Sequence, residues 1–373
     1  MKLMKIIISG GGTGGHIYPA IAIAQTLKAQ FPDCEILFVG AEGKMEMEKV
    51  PKAGFKIIGL PVRALQRSFT VENIKLNLKF PILLLKSLGK AYKIVKDFQP
   101  DICIGVGGYA SGALMQMAVL QGVPTLIQEQ NSYAGLTNKL LSKFVNRICV
   151  AYPNMEQYFP KHKIVMTGNP VRNDLLDLSA LKSQALAFFT LQEHQQTLLI
   201  VGGSLGARSV NNAILEHIEI LLAQNYQVIW QTGNTDFSRI SAILAEKKLL
   251  INSKLIVKDF IYDMRFAYSA ADVVVSRAGA LAISELCLAE KPCILVPLPT
   301  AAEDHQSKNA MSLVQEHAAL LVKDSEAKEN LVKVAIELLQ NNTLQTTLKN
   351  NIKTFAKPQA AEKIVAEILS LIK

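Results

Sequence analysis

The sequence predicts an α/β protein of two domains, each a doubly wound parallel sheet with helices on both faces. Three observations predict it. The 373 residues amount to two domains at roughly 150 residues each. Short apolar runs alternate with amphipathic stretches along most of the chain. The succession of strand, glycine turn and helix opens both halves, once from Lys5 and again from Thr197.

The first half reads in order. Lys5–Ser9 is a short apolar run, hence a buried strand, and it enters Gly10–Gly15, His16 and a helix over Pro19–Ala29. Strands follow at Glu35–Val39, Lys56–Leu60, Ile102–Gly105, Thr125–Gln128, Arg147–Val150 and Lys163–Thr167. A second glycine cluster, Gly105–Gly112, precedes a helix from near Ala113. Asn169-Pro170 marks a hinge, because proline disfavours helix at the residue before it. The first domain is therefore placed at 1–167 and the second at 168–357.

The second half repeats the scheme. Thr197–Val201 enters Gly202–Ala207 and a helix over Asn211–Ala223. Strands follow at Gln227–Gln231, Lys254–Val257, Asp272–Ser276, Cys293–Pro297 and Leu320–Val322. The last helix, Ala360–Leu371, follows Pro358, and 358–373 is expected to return to the first domain. In such sheets ligands bind beyond the C-terminal strand ends, where the strand order reverses.

Composition narrows the function. Hydrophobic residues make up 50% and charged residues 19%, too apolar for a disordered chain. Cys34, Cys103, Cys149, Cys287 and Cys293 stand apart with no C-x-x-C pair. Neither a disulfide framework nor a structural zinc site is expected, and a reducing compartment fits. The N-terminus does not read as a signal peptide, and no run approaches the ~18 apolar residues of a spanning helix. The net charge of +9 is uneven: residues 1–165 hold 20 basic and 10 acidic residues, and residues 51–100 alone hold 10 and 2. That field attracts nucleic acid, anionic lipid or a phosphorylated substrate.

The first glycine loop satisfies G-x-G-x-x-G through Gly10, Gly12 and Gly15. Such a loop lets backbone approach a phosphate, and the helix behind it offers N–H groups and a positive dipole. With Glu42 at the end of the second strand, a dinucleotide enzyme remains open, as does a tight turn with no ligand. Three glycine loops in one chain suggest several anionic groups in one site. The run Asp272–Glu285 is the strongest nucleotide signal. A buried strand ends at Ser276, Gly279 turns, N–H groups at Ala280–Ala282 face an α-phosphate, and Glu285 accepts from ribose hydroxyls. His16, directly behind the first loop, either takes a proton from a hydroxyl nucleophile or orients the loop. The polar stretches Thr300–Asn309 and Asn131-Ser132 either read sugar hydroxyls or are ordinary surface. No D-x-D pair occurs, which favours a site without metal or cofactor. Segment 62–98, with Lys75, Lys79, Lys86, Lys90, Lys93 and Lys96 among leucines, is either a face lying on an anionic membrane or a core-facing helix with a basic outer side, broken or kinked near Pro81. Nucleic acid fits less well, because basic and aromatic residues do not interleave.

Taken together, Gly11–His16, Gly105–Gly112, Glu129–Asn131 with Ala134–Asn138, Gly168–Arg172, Gly202–Ala207, Arg277–Ala280 with Ser284-Glu285, and Asp304–Gln306 resemble the bacterial peptidoglycan glycosyltransferases that make lipid II. The resemblance implies a GT-B fold, two Rossmann-like domains with a deep cleft between them. It implies that the second domain binds the donor UDP-GlcNAc. The first would bind the acceptor lipid I peripherally at the cytoplasmic membrane face, where contacts with other cell-wall synthesis proteins are expected. Donor contacts carry over to Thr13, Gly14, Gly15, Asn131, Arg172, Ser204, Ile261, Ala280, Leu281, Ala282, Ile283, Ser284, Glu285 and Gln306. Acceptor contacts are expected at Gly107, Gly108 and Tyr109. Three positions depart from the family pattern: Gln128 stands where some members have His, Leu205 where others have Gln, and Ala282 where some have Thr. The expected reaction is inverting transfer to the C4 hydroxyl of the lipid-linked sugar, with His16 as base and Glu129 as its rival. An NAD-dependent oxidoreductase and a non-catalytic membrane-surface protein remain the alternatives.

Overall fold

The structure, a computed structural model, describes residues 3–62, 80–171, 175, 178–203 and 205–372. The expectations placed on Arg172, Ser204 and the 63–79 part of the basic segment lie outside the described residues. The chain divides into two compact units, Met1–Val171 with Gln359–Lys373, and Arg172–Pro358.

The first unit runs β1 (Lys5–Ser9), α1 (Gly14–Gln30), β2 (Glu35–Ala41), α2 (Glu46–Lys52), β3 (Lys56–Leu60), α3 (Phe80–Phe98), β4 (Ile102–Gly105), α4 (Tyr109–Leu120), β5 (Thr125–Glu129), α5 (Leu136–Leu141), β6 (Arg147–Val150) and β7 (Ile164–Met166). Its seven strands lie in the order β3-β2-β1-β4-β5-β6-β7, with parallel pairing throughout. The second unit runs α6 (Lys182–Phe188), β8 (Thr197–Val201), α7 (Arg208–Ala223), β9 (Gln227–Gln231), α8 (Phe237–Glu246), β10 (Leu255–Lys258), α9 (Met264–Ala270), β11 (Val273–Ser276), α10 (Ala280–Leu288), β12 (Cys293–Leu295), α11 (His305–Val314), β13 (Leu320–Leu321), α12 (Ala327–Gln340) and α13 (Asn342–Lys353). Its six parallel strands lie in the order β10-β9-β8-β11-β12-β13. The last helix, α14 (Ala360–Leu371), belongs to the first unit.

Both sheets are covered on both faces, which is why their strands read as apolar runs rather than alternating ones. In β1, Ile7 joins one apolar layer with Leu114 and Met115 of α4. Ile6 and Ile8 join the opposite layer with Ile17, Ile23 and Leu27 of α1 and Ile364, Val365 and Ile368 of α14. All three isoleucines are fully buried, and each such side chain contributes about 1.5–3 kcal/mol. An Arg147–Glu367 ion pair of 3.0 Å borders the α14 contact. All five cysteines are free and buried. Burial pushes the Cys149 and Cys287 thiols up to about 12, so these are packing groups and not nucleophiles.

In each unit the strand order reverses where two strands that run into glycine turns lie side by side. Ser9 at the end of β1 is in register with Gly105 at the end of β4, and Val201 of β8 with Ser276 of β11. The helices that follow start earlier than expected. The first begins at Gly14 and takes Pro19 inside it, the second at Tyr109 and not near Ala113, and the third at Arg208 and not Asn211. Gly14, Gly15, Ser111, Gly112 and Ser209 are weak helix formers by propensity, but the tight turns leave them no other path. The helix N-termini therefore sit directly on the strand ends. Pro81 lies in the first turn of α3 and marks its start without breaking it. Ala91, Ile94 and Val95 of α3 are buried, while Ile82, Leu84 and Leu85 are exposed beside Lys86 and Lys90. This helix thus has both a core stripe and an apolar-basic outer side.

Candidate active site

In the first unit the two glycine loops interlock. Val106 N donates to Ser9 O at 2.7 Å, and Gly11 N to Gly107 O at 3.3 Å. Gly108 has φ +90°, and a Cβ there would lie 2.5 Å from Gly11 O, so no side chain is tolerated. A Cβ on Gly107 would meet the His16 ring at 2.7 Å. The imidazole is therefore stacked on the second loop by the first. His16 Nδ1 lies 3.0 Å from Gly11 O and 3.5 Å from Thr13 Oγ1. A carbonyl only accepts, so the neutral ring carries its proton on Nδ1 and accepts through Nε2. The α1 and α4 N-termini have no side-chain cap, and neither helix has an acid in its first turn. Thr13 and Tyr109 stand exposed at these two helix starts.

Glu129, at the end of β5, is almost fully buried. Its Oε1 accepts from the backbone N and Nδ2 of Asn131 at 3.1 and 3.2 Å, and its Oε2 accepts from Gly135 N at 3.0 Å and Asn138 Nδ2 at 2.9 Å. Four donors on one carboxylate hold the turn that presents Asn131. Gln128 Nε2 donates to Asn169 Oδ1 at 3.0 Å, and Gln130 Nε2 to Val106 O at 2.9 Å. The amide at 128 thus serves as a strut inside this strand end.

In the second unit, the Gly202–Ala207 loop seats on the end of β9. Gly206 has φ +86°, and a Cβ on it would lie 2.2 Å from Thr232 O. Gln231 bridges further: its Nε2 donates to Gly203 O at 3.2 Å, and its Oε1 accepts from Ile261 N at 2.9 Å. Ile261 is buried, and its N–H is committed to that amide. The adjacent loop after β11 is pinned by Arg277. Its Nη1 donates to Val296 O at 3.1 Å, Pro297 O at 3.3 Å and Asp324 Oδ1, while its Nη2 donates to Ser209 Oγ at 3.0 Å.

The start of α10 carries N–H groups with no side-chain cap. Gly279 caps it in extended backbone without a side-chain bond, and no acid lies in the first turn. Ile283 N donates to Gly279 O at 2.9 Å, so the N–H groups of Ala280, Leu281 and Ala282 precede the first helical bond. Ile283 is core through its side chain, and Ser284 Oγ donates back to Ala280 O at 3.0 Å. Glu285 accepts from the Tyr268 hydroxyl at 3.2 Å. Gln306, in the first turn of α11, accepts from Leu298 N at 2.9 Å. Within the first unit Thr13, Gly14, Gly15 and His16 come together with Gly107, Gly108 and Tyr109. Within the second unit the Gly202–Ala207 loop, Ile261 and the α10 start surround the β8–β11 strand ends.

Sequence reasoning passed over several supports: Tyr268 behind Glu285, Gln231 behind Ile261, Asp324 and Ser209 behind Arg277, and Glu46 beneath the first glycine loop. Each is distant in sequence from what it holds, and none belongs to a motif.

Residues 6–150 match the glycosyltransferase family 28 N-terminal domain and residues 197–364 the glycosyltransferase family 28 C-terminal domain. A Parabacteroides distasonis protein named UDP-N-acetylglucosamine--N-acetylmuramyl-(pentapeptide) pyrophosphoryl-undecaprenol N-acetylglucosamine transferase is 53% identical over 372 residues, covering 100% of this chain and 99% of the relative. A Cytophaga hutchinsonii protein of the same name is 54% identical over 372 residues, covering 100% and 98%. The crystal structure of Acinetobacter baumannii MurG is 28% identical with a TM-score of 0.75, over 98% of this chain and 99% of that one. UDP-GlcNAc 2-epimerase from Neisseria meningitidis, bound to UDP-GlcNAc, shares the fold at 15% identity with a TM-score of 0.66, over 98% and 100%. Two matched domains on two parallel-sheet units make this a GT-B fold, and the chain belongs to glycosyltransferase family 28.

Proposed function

We propose that the chain transfers N-acetylglucosamine from UDP-GlcNAc to the C4 hydroxyl of undecaprenyl-pyrophosphoryl-MurNAc-pentapeptide, forming the β-1,4 bond of lipid II with inversion. The observation that carries the reading is the uncapped start of α10 with Glu285 in its second turn, in a chain whose full-length relatives bear the transferase name. The unit Arg172–Pro358 takes the donor, with diphosphate at the Ala280–Ala282 N–H groups and ribose hydroxyls at Glu285. The first unit takes the acceptor, with its pyrophosphate at the Gly107-Gly108-Tyr109 backbone. His16 Nε2 receives the C4 hydroxyl proton as the oxygen attacks the anomeric carbon, and the β-phosphate oxygen leaves toward the helix dipole. Glu129, saturated by four donors, positions Asn131.

Membrane attachment fits the same unit. No helix among the described residues is long and apolar enough to cross a bilayer. Leu136, Leu140 and Phe144 are exposed beside Lys143, and Lys139 Nζ lies 3.9 Å from the Tyr133 ring centre. Ile82 and Leu85 of α3 are exposed beside Lys86 in the same unit, and such apolar-basic surface suits peripheral binding at an anionic cytoplasmic leaflet.

The test is a transfer assay with UDP-GlcNAc and a short-chain lipid I analogue, with and without chelator. Formation of the β-1,4 disaccharide on the lipid is expected. Stabilisation by NADH and not by UDP, with no transfer, would overturn the reading. Equal binding to neutral and anionic vesicles would remove the electrostatic part of the membrane proposal.

A further inference from the structure

Glu46 opens α2 and is fully buried. Its carboxylate enters a slot that two glycines clear. A Cβ on Gly11 would lie 2.1 Å from Glu46 Oε1, and one on Gly40 would lie 2.5 Å from Glu46 Cγ. Oε1 accepts from Ala41 N at 2.9 Å, and Oε2 accepts from Gly12 N at 3.0 Å. Both oxygens accept, the pattern of a carboxylate anion, and among the described residues no basic side chain pairs with it. A buried carboxylate without a cation is costly, and this one reaches a single loop peptide.

That peptide is Gly11–Gly12. Its N–H is held by Glu46 and its C=O by His16 Nδ1, 3.0 Å away. One planar unit therefore links carboxylate and imidazole, with hydrogen bonds at its two opposite ends. Hydrogen bonding of the N–H to an anion polarises the amide and makes its carbonyl a stronger acceptor. Against the ring lie Thr13 from its own loop and Gly107 from the loop after β4, neither of which titrates near neutrality. Those facing Glu46 are Gly11, Gly40 and Ala41.

We propose that Glu46 is a positioning residue for His16, its carboxylate acting through the Gly11–Gly12 peptide to keep the imidazole proton on Nδ1 and make Nε2 the proton acceptor. No proton crosses the peptide; His16 alone takes and returns the hydroxyl proton. The arrangement does what a carboxylate does when bonded directly to a catalytic histidine, with an amide inserted between them. It rests on His16 being the base, and the two ideas separate experimentally.

The experiment follows ring-nitrogen shifts in full-length protein labelled at histidine, with His16 assigned by its loss in His16→Ala. The wild-type neutral ring should show the proton on Nδ1, and the Gly12 amide proton should move with the His16 titration. In Glu46→Gln one of the two N–H groups faces an NH₂. Gly11 O still accepts in this variant, so the Nδ1 tautomer should be held less tightly but not abolished, and the His16 pKa should fall by about one unit. The acidic limb of kcat should shift by the same amount while donor KM stays within about twofold. Glu46→Asp, too short to reach both N–H groups, should fall between the two. An unchanged tautomer and titration in folded Glu46→Gln overturns the proposal. If that variant does not fold, a wild-type Gly12 amide indifferent to the His16 titration overturns it. Coupling of Gly12 and His16 with a kcat profile that ignores both upholds the link and removes His16 as base.

Discussion

The Tyr268 hydroxyl donates to Glu285 Oε2 across 3.2 Å, from α9 to the second turn of α10. Tyr268 is itself buried, so it fixes the carboxylate proposed to accept the ribose hydroxyls. Tyr268→Phe removes that one bond, worth about 1 kcal/mol. The KM for UDP-GlcNAc should rise about fivefold with kcat little changed. Steady-state kinetics decides it, and a fall in kcat at constant KM would place Glu285 in the chemical step instead.

Gly203 and Gly206 separate backbone conformation from crowding. Both have positive φ, but a Cβ on Gly203 meets nothing within 4 Å, while one on Gly206 lies 2.2 Å from Thr232 O. Gly203→Ala should cost about 1 kcal/mol of stability and Gly206→Ala about 3 or more. Urea unfolding of the two variants tests the difference. Gly206→Ala should also weaken UDP binding, because the loop must leave Thr232.

Asp236 makes stability depend on acid. Burial pushes its carboxyl up, but hydrogen bonds from Arg239 and Asn211 and the charges of Arg239 and Arg208 outweigh that and hold it below the usual carboxylate range. A group lowered on folding stabilises fully above its unfolded pKa, about 3.9, and that stabilisation is lost as pH falls through the folded value. The urea midpoint of wild type should exceed that of Asp236→Asn at pH 6, and the gap should close below about pH 4. A gap that persists there would refute the assignment.

Arg277 is the tie among the β11, β12 and α7 ends, bonded to Val296 O, Pro297 O, Asp324 and Ser209. Arg277→Lys keeps the charge but loses the planar fork, and should cost about 2 kcal/mol. Ser209→Ala should cost about half that. Thermal unfolding with and without UDP would show whether the same change loosens the α10 start.

The strands were legible because both sheet faces are covered: runs such as Ile6-Ile7-Ile8 and Val273-Val274-Val275 are buried on either side and carry no helical period. The α10 start was legible from Gly279 and the apolar strand before it. The starts of α1, α4 and α7 were not, since residues such as Gly14 and Ser209 look like turn residues until the strand ends fix them. Glu46 was invisible because a glutamate at a helix start ordinarily faces water. Only the fold brings Gly40 and Gly11 together around it. Gln231 and Tyr268 were missed for the same reason: parallel crossovers set their partners, and local sequence does not report crossovers.

The return of α14 to the first unit has a biosynthetic consequence. Ile364, Val365 and Ile368 complete an apolar layer whose other members precede residue 150. While the chain is still being translated, that layer stands open to water even though its sheet is fully synthesised. The first unit must wait for residues 360–371 to close that layer, and until then its uncovered isoleucines are open to chaperones. A chain that stopped before Ala360 would keep that apolar layer open, an adhesive flank on its first unit.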